Sequence, residues 1–111
     1  MYVYDEANNL AKAIKESKEY LEYKKVKQEV NSNSEMKSKI EEFEKLRYEV
    51  QLATFQGETQ NTEKTKKLEE MYQILLQDEK IKEFFDIEVR FNIMLADVNK
   101  IIGESVQDLL Q

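Results

Sequence analysis

The chain has 111 residues, 41% hydrophobic and 36% charged, with no cysteine, histidine, tryptophan or proline and only two glycines. Without imidazole or thiol, the usual zinc, haem, iron–sulfur and Ser-His-Asp chemistries lack their ligands or their base, so no catalytic, cofactor or metal site is expected. A formal charge of −6 disfavours nucleic acid as a direct ligand, because phosphate binding draws its strength from clustered cations.

The length suits a single domain, 1–111, able to bury roughly two-thirds of the surface its unfolded chain exposes. A charged fraction above the usual quarter fits amphipathic helices with solvated outer faces. No window approaches the run of about 20 apolar residues that spans a bilayer, and Met1-Tyr2-Val3-Tyr4-Asp5-Glu6 lacks the basic and apolar segments of a signal peptide, which predicts a soluble, cytoplasmic protein with no membrane partner.

In chain order, Asp5 is placed to cap a first helix whose Ala7, Leu10, Ala11 and Ile14 recur at helical spacing. Ser17 opens a second, either breaking or bending the chain, with Tyr20, Tyr23, Val26 and Val30 as its stripe and Lys24, Lys25 and Lys27 beside it. The polar cluster Asn31-Ser32-Asn33-Ser34 reads as a turn, and Ser32 with Glu35 has the form of a capping box. A third helix then carries Met36, Ile40, Phe43, Leu46, Val50 and Ala53, ended by Gly57, because glycine enters the left-handed conformation without steric cost. Leu46, Tyr48, Val50 and Leu52 alternate as a half-buried strand would, but no second alternating segment exists to pair with them.

Residues 58 to 62 form a polar connection in which Asn61 or Thr62 caps a fourth helix bearing Leu68, Met71, Tyr72 and Leu75. The pattern breaks near Gln77 and Asp78. From Glu79 a final helix is expected to run to about Leu110, loosened at Gly103. The fold class is therefore all-α, an antiparallel bundle of about four to five helices with a long C-terminal helix.

That last helix carries Phe84, Phe91 and Val98 in one row and Ile87, Met94 and Ile101 in another, widened by Leu95 and Ile102. Phe85, Val89, Ile93 and Ala96 form a further row, leaving Asp86, Arg90, Asp97, Lys100 and Glu104 as the main polar strip. Helices apolar over most of their circumference are normally surrounded, and either the first helix folds over the extra row or another chain covers it. We expect self-association, with help from helix three, through an interface drawn from Phe84, Phe85, Ile87, Val89, Phe91, Ile93, Met94, Leu95, Val98, Ile101 and Ile102.

Neighbouring acids such as Glu41-Glu42 and Glu69-Glu70 diverge by about 100° on a helix, so they share no focus for acid–base chemistry. Glu35–Lys39, Glu41–Lys45, Glu63–Lys67 and Asp78–Lys82 are instead spaced as helix supports. The lysines of helix two, interleaved with Tyr20 and Tyr23, offer a second reading, that of an RNA-associated accessory protein.

The stretches Val3-Tyr4-Asp5-Glu6-Ala7-Asn8-Asn9-Leu10-Ala11, Ser17-Lys18-Glu19-Tyr20, Phe55-Gln56-Gly57-Glu58 and Asp97-Val98-Asn99-Lys100-Ile101-Ile102 resemble the YheA/YmcA/YlbF family of small helical bacterial proteins. The resemblance covers nearly the whole chain. It implies an all-helical fold that forms homodimers or higher homo-oligomers, and a non-enzymatic regulatory or adaptor role. By the same resemblance, partners would be regulatory proteins of this family or a ribonuclease, acting in mRNA processing, competence, biofilm formation or sporulation. YlbF-type members carry a cysteine-bearing tail linked to iron–sulfur binding; this chain ends Leu109-Leu110-Gln111 without cysteine and is closer to the short YheA-like branch.

Overall fold

The computed structural model describes residues 2–57 and 62–110. They form six helices: α1 (Val3–Glu16), α2 (Lys18–Asn31), α3 (Ser34–Phe55), α4 (Thr62–Leu75), α5 (Glu79–Ser105) and α6 (Gln107–Leu110). Among the described residues there is no strand, and the alternating stretch around Tyr48 lies inside α3. No helix among them is long and apolar enough to cross a membrane.

The helix boundaries follow from polar side chains that serve exposed backbone groups. Ser17 breaks the chain rather than bending it: its backbone is extended (ψ 150°), its hydroxyl accepts from the Tyr20 amide at 3.1 Å and donates to the Ile14 carbonyl at 2.6 Å. One hydroxyl thus closes α1 and opens α2. Asp5 is not the cap of α1. The helix starts at Val3 after Tyr2, and Asp5 sits within the first turn, where its charge faces the positive end of the helix dipole.

The expected capping box at Ser32 is replaced by Asn33, one residue on, whose Oδ1 accepts from the amides of Glu35 and Met36, both at 3.1 Å. Ser32 faces backwards and donates to the Glu29 carbonyl at 2.7 Å. At the far end of α3, Gly57 adopts φ +77° just past the cap residue Gln56, the left-handed stop its position predicts. The expected cap of α4 at Asn61 or Thr62 lies outside the described residues and side chains. Asp78 opens α5, its Oδ1 accepting from the amides of Lys80 and Ile81 at 2.9 and 3.2 Å. Gly103 does not loosen α5. The interruption falls at Val106, after Ser105 has turned its hydroxyl onto the Ile102 carbonyl at 2.6 Å, and it adds α6 to the four or five helices expected.

The chain groups into two compact units, residues 28–83 and residues up to 27 together with 84 onward. In the first of these, α3 and α4 run antiparallel. Phe43 near the middle of α3 stacks on Tyr72 near the end of α4 (5.8 Å, 28°), whereas Glu49 further along α3 meets Lys64 early in α4 at 3.9 Å. Val30, Ile40, Phe43, Leu75 and Ile81 are buried there. Lys80 Nζ donates to Glu29 Oε2 at 2.6 Å and to Glu83 Oε2 at 3.4 Å. The bond to Glu29 is the main cause that lifts the lysine above its ordinary 10.5, against a smaller opposing effect of desolvation.

In the other unit α2 lies antiparallel to α5 through aromatic rings. Tyr20 meets Phe91 with ring centroids 6.3 Å apart, and Tyr23 meets Phe91 and Phe84 at 5.1 and 5.9 Å. The Tyr23 hydroxyl donates to Glu88 Oε2 at 2.8 Å, so the ring is held at both ends. Val26, Phe84, Phe85 and Ile87 are buried.

Candidate interaction surface on the last helix

The residues expected to form an interface divide along α5. Phe84, Phe85 and Ile87 are buried within the chain; Phe91, Met94, Leu95 and Val98 are half-buried; Val89 and Ile93 are each 54% exposed, Ile102 52% and Ile101 69%. The cover therefore fades towards the C-terminus. Phe85 and its row-mates part company, since Val89, Ile93 and Ala96 remain exposed. The first helix does not fold over them, for none of its own residues is buried. Its stripe of Val3, Ala7, Leu10, Ala11 and Ile14 is itself uncovered or half-covered.

A groove of about 460 Å³ runs beside α2 on this face of α5. Ile87, Met94, Val98 and Ile101 supply its apolar lining together with Ile93, and Arg90 and Asp97 stand along the α5 edge. On the α2 side it is bounded by Lys18, Glu19 and Glu22. Arg90 reaches Glu22 only at 4.0 Å, and its side chain remains 59% exposed. An apolar trough edged by charges of both signs suits an amphipathic helix better than a small polar molecule, which needs convergent buried donors and acceptors.

The spacing of α2 placed Tyr20 and Tyr23 in its packing stripe, and they pack there. Both rings are half-buried against Phe84 and Phe91, and Lys27 lies over Tyr23 with its ammonium 5.4 Å from the ring centre. They are packing residues, which removes the stacking platform of an RNA-contacting strip. Sequence reasoning passed over two other exposed apolar sets. Tyr48, Leu52 and Phe55, four and three residues apart on α3, are 64%, 41% and 89% exposed, and Leu109 and Leu110 of α6 are each 80% exposed. The helical spacing of the α3 set was the signal that could have found it.

A family profile described as control of competence regulator ComK, YlbF/YmcA, matches residues 3–107. A UPF0342 protein of Symbiobacterium thermophilum is 36% identical over 104 residues, covering 94% of this chain and 93% of its own length. Among solved structures, a DUF964 protein of unknown function from Bacillus stearothermophilus superposes with a TM-score of 0.83 at 16% identity, over 98% of this chain and 96% of that one. YheA of Bacillus subtilis gives 0.68 at 26% identity, over 98% and 99%. RicA of Bacillus subtilis, solved in complex with RicF, gives 0.61 at 22% identity, over 98% and 96%. With the profile spanning all but the ends and a relative 36% identical across nearly the whole chain, the chain belongs to the YheA/YmcA/YlbF family.

Proposed function

We propose that this protein is a regulatory adaptor that works by helix-mediated association rather than by catalysis. It forms a homodimer or higher homo-oligomer through the distal part of α5, and it engages regulators of its own family or a ribonuclease to influence mRNA processing and developmental programmes such as competence. The observation that carries this reading is the exposure of Val89, Ile93, Ile101 and Ile102 on a helix whose Ile81, Phe84, Phe85 and Ile87 are buried. Full burial of such a side chain is worth about 1.5–3 kcal/mol, so covering even the exposed half of four of them supplies several kcal/mol towards association. The family's profile, named for control of a competence regulator, and the crystallised pairing of RicA with RicF support a role exercised through protein partners.

Light scattering of the full chain after size exclusion tests the association. The native protein is expected to elute as an oligomer, and Ile93→Asp as a monomer of unchanged helix content. A native chain that stays monomeric at every concentration removes the reading. The RNA alternative retains only the exposed Lys24, Lys25 and Lys27, and RNA affinity falling steeply with ionic strength in a filter-binding titration would favour it.

A further inference from the structure

We infer that the occupant of the α5 groove is the α5 helix of a second copy of this chain, lying antiparallel across a two-fold axis at Ile93–Met94, with each Arg90 facing Asp97 of the partner subunit. This rests on the self-association proposed above and goes beyond it by fixing the register and the direction of the contact.

The pattern of charge along the groove edge is what assigns the occupant. The charged residues of α5 that line the groove are Arg90 and Asp97, positive then negative from the N-terminal side. Read backwards, the pair exchanges signs. An antiparallel copy centred between them therefore sets each Arg90 against Asp97 of the partner subunit, giving two opposite-charge pairs across the axis. The apolar lining has the same symmetry: Ile87 is as far before the centre as Ile101 is after it. The midpoint of Arg90 and Asp97 falls between Ile93 and Met94, and that of Ile87 and Ile101 at Met94. Self-complementarity of this kind is what a two-fold interface requires, because one patch must satisfy its own image.

Inside the chain Arg90 is held only loosely. It and Asp97 are seven residues apart on one helix, about 10 Å along its axis, too far to pair with each other. Arg90 stands 4.0 Å from Glu22 and its Nε donates to the Asp86 carbonyl at 3.4 Å, with the side chain still 59% exposed. Antiparallel helices present the same flank to each other, so two residues a heptad apart on one edge meet their opposites on the partner's edge.

The test is a charge-reversal cycle read by sedimentation equilibrium, with helix content of each variant checked by circular dichroism. Arg90→Asp and Asp97→Arg each replace two attractive pairs by two repulsive ones and are expected to raise the dimer dissociation constant at least about tenfold. The double variant, Arg90→Asp with Asp97→Arg, is expected to return it to within about threefold of the native value, because the pairs re-form with signs exchanged. A second arm uses the absence of native cysteine: Arg90→Cys chains mixed with Asp97→Cys chains should give chiefly the mixed disulfide. A native dimer whose single reversals have no effect, or whose double variant is as weak as the singles, overturns this register while leaving self-association intact, as does a disulfide pattern confined to like positions. A native chain that is monomeric throughout overturns both.

Discussion

On α3, Ile40 and Phe43 are buried and Tyr72 of α4 stacks against the phenylalanine, whereas on α5 the buried set Phe84, Phe85 and Ile87 gives way to half-buried Phe91, Met94 and Val98 and then to exposed Ile101 and Ile102. Both helices carry their apolar residues at the same spacing. What differs is the neighbour. Around Phe43 the α3–α4 contact is completed within one chain, whereas Ile101 and Ile102 towards the end of α5 stay exposed. Under the proposed association, the first contributes to folding and the second to assembly, and substitutions in the two should separate by their dependence on protein concentration.

The largest effect is expected from Phe43→Ala, which removes a buried ring together with its contacts to Tyr72 and Arg47. It should cost about 3–5 kcal/mol of unfolding free energy in urea, equally at low and high protein concentration. Ile101→Asp should behave in the opposite manner: the monomer's stability shifts by no more than about 0.5 kcal/mol, while the dissociation constant of the oligomer rises at least about tenfold, or about 1.4 kcal/mol. Equal losses at all concentrations for both variants would erase the distinction between the two regions.

Smaller effects sharpen it. Asn33→Ala should lower stability by about 1 kcal/mol in thermal unfolding, because two amides of the first turn of α3 lose their acceptor, and Ser32→Ala should stay within about 0.5 kcal/mol. The smallest is the Lys80 bridge. Its folded-state pKa lies above the ordinary 10.5, so the stabilisation is fully present below about pH 10.5 and is lost as pH rises through the folded value. Lys80→Met should flatten that alkaline decline and, at neutral pH, lose the whole of the bridge's small contribution to stability.

Much of the fold was legible because helix limits are local chemistry. The turn at Asn31–Ser34, the glycine stop at Gly57 and the start of α5 at Glu79 rest on residues whose side chains or backbone act on their immediate neighbours. The misplaced cap shows the grain of such reading: Ser32 and Asn33 are both good caps, and the choice fell to Asn33 because the Ser32 hydroxyl is taken by the preceding helix at Glu29. The candidate site was legible only in part. Heptad spacing told which side chains of α5 share a face, but the burial of Phe85 and the exposure of Ile93, eight residues apart in one row, depend on where other helices end. Tyr20 and Tyr23 illustrate the same limit, since their stripe was plain and their partners on α5 were not.

Hydroxyl-radical footprinting across a dilution series, read by mass spectrometry, measures the cover on distal α5 directly. Modification of Ile93 and Ile101 should slow as protein concentration rises and recover in Ile101→Asp at the Ile93 position. Rates at Ile93 and Ile101 that are the same at every concentration, in a chain that remains fully helical, would contradict the claim that a partner chain covers this face.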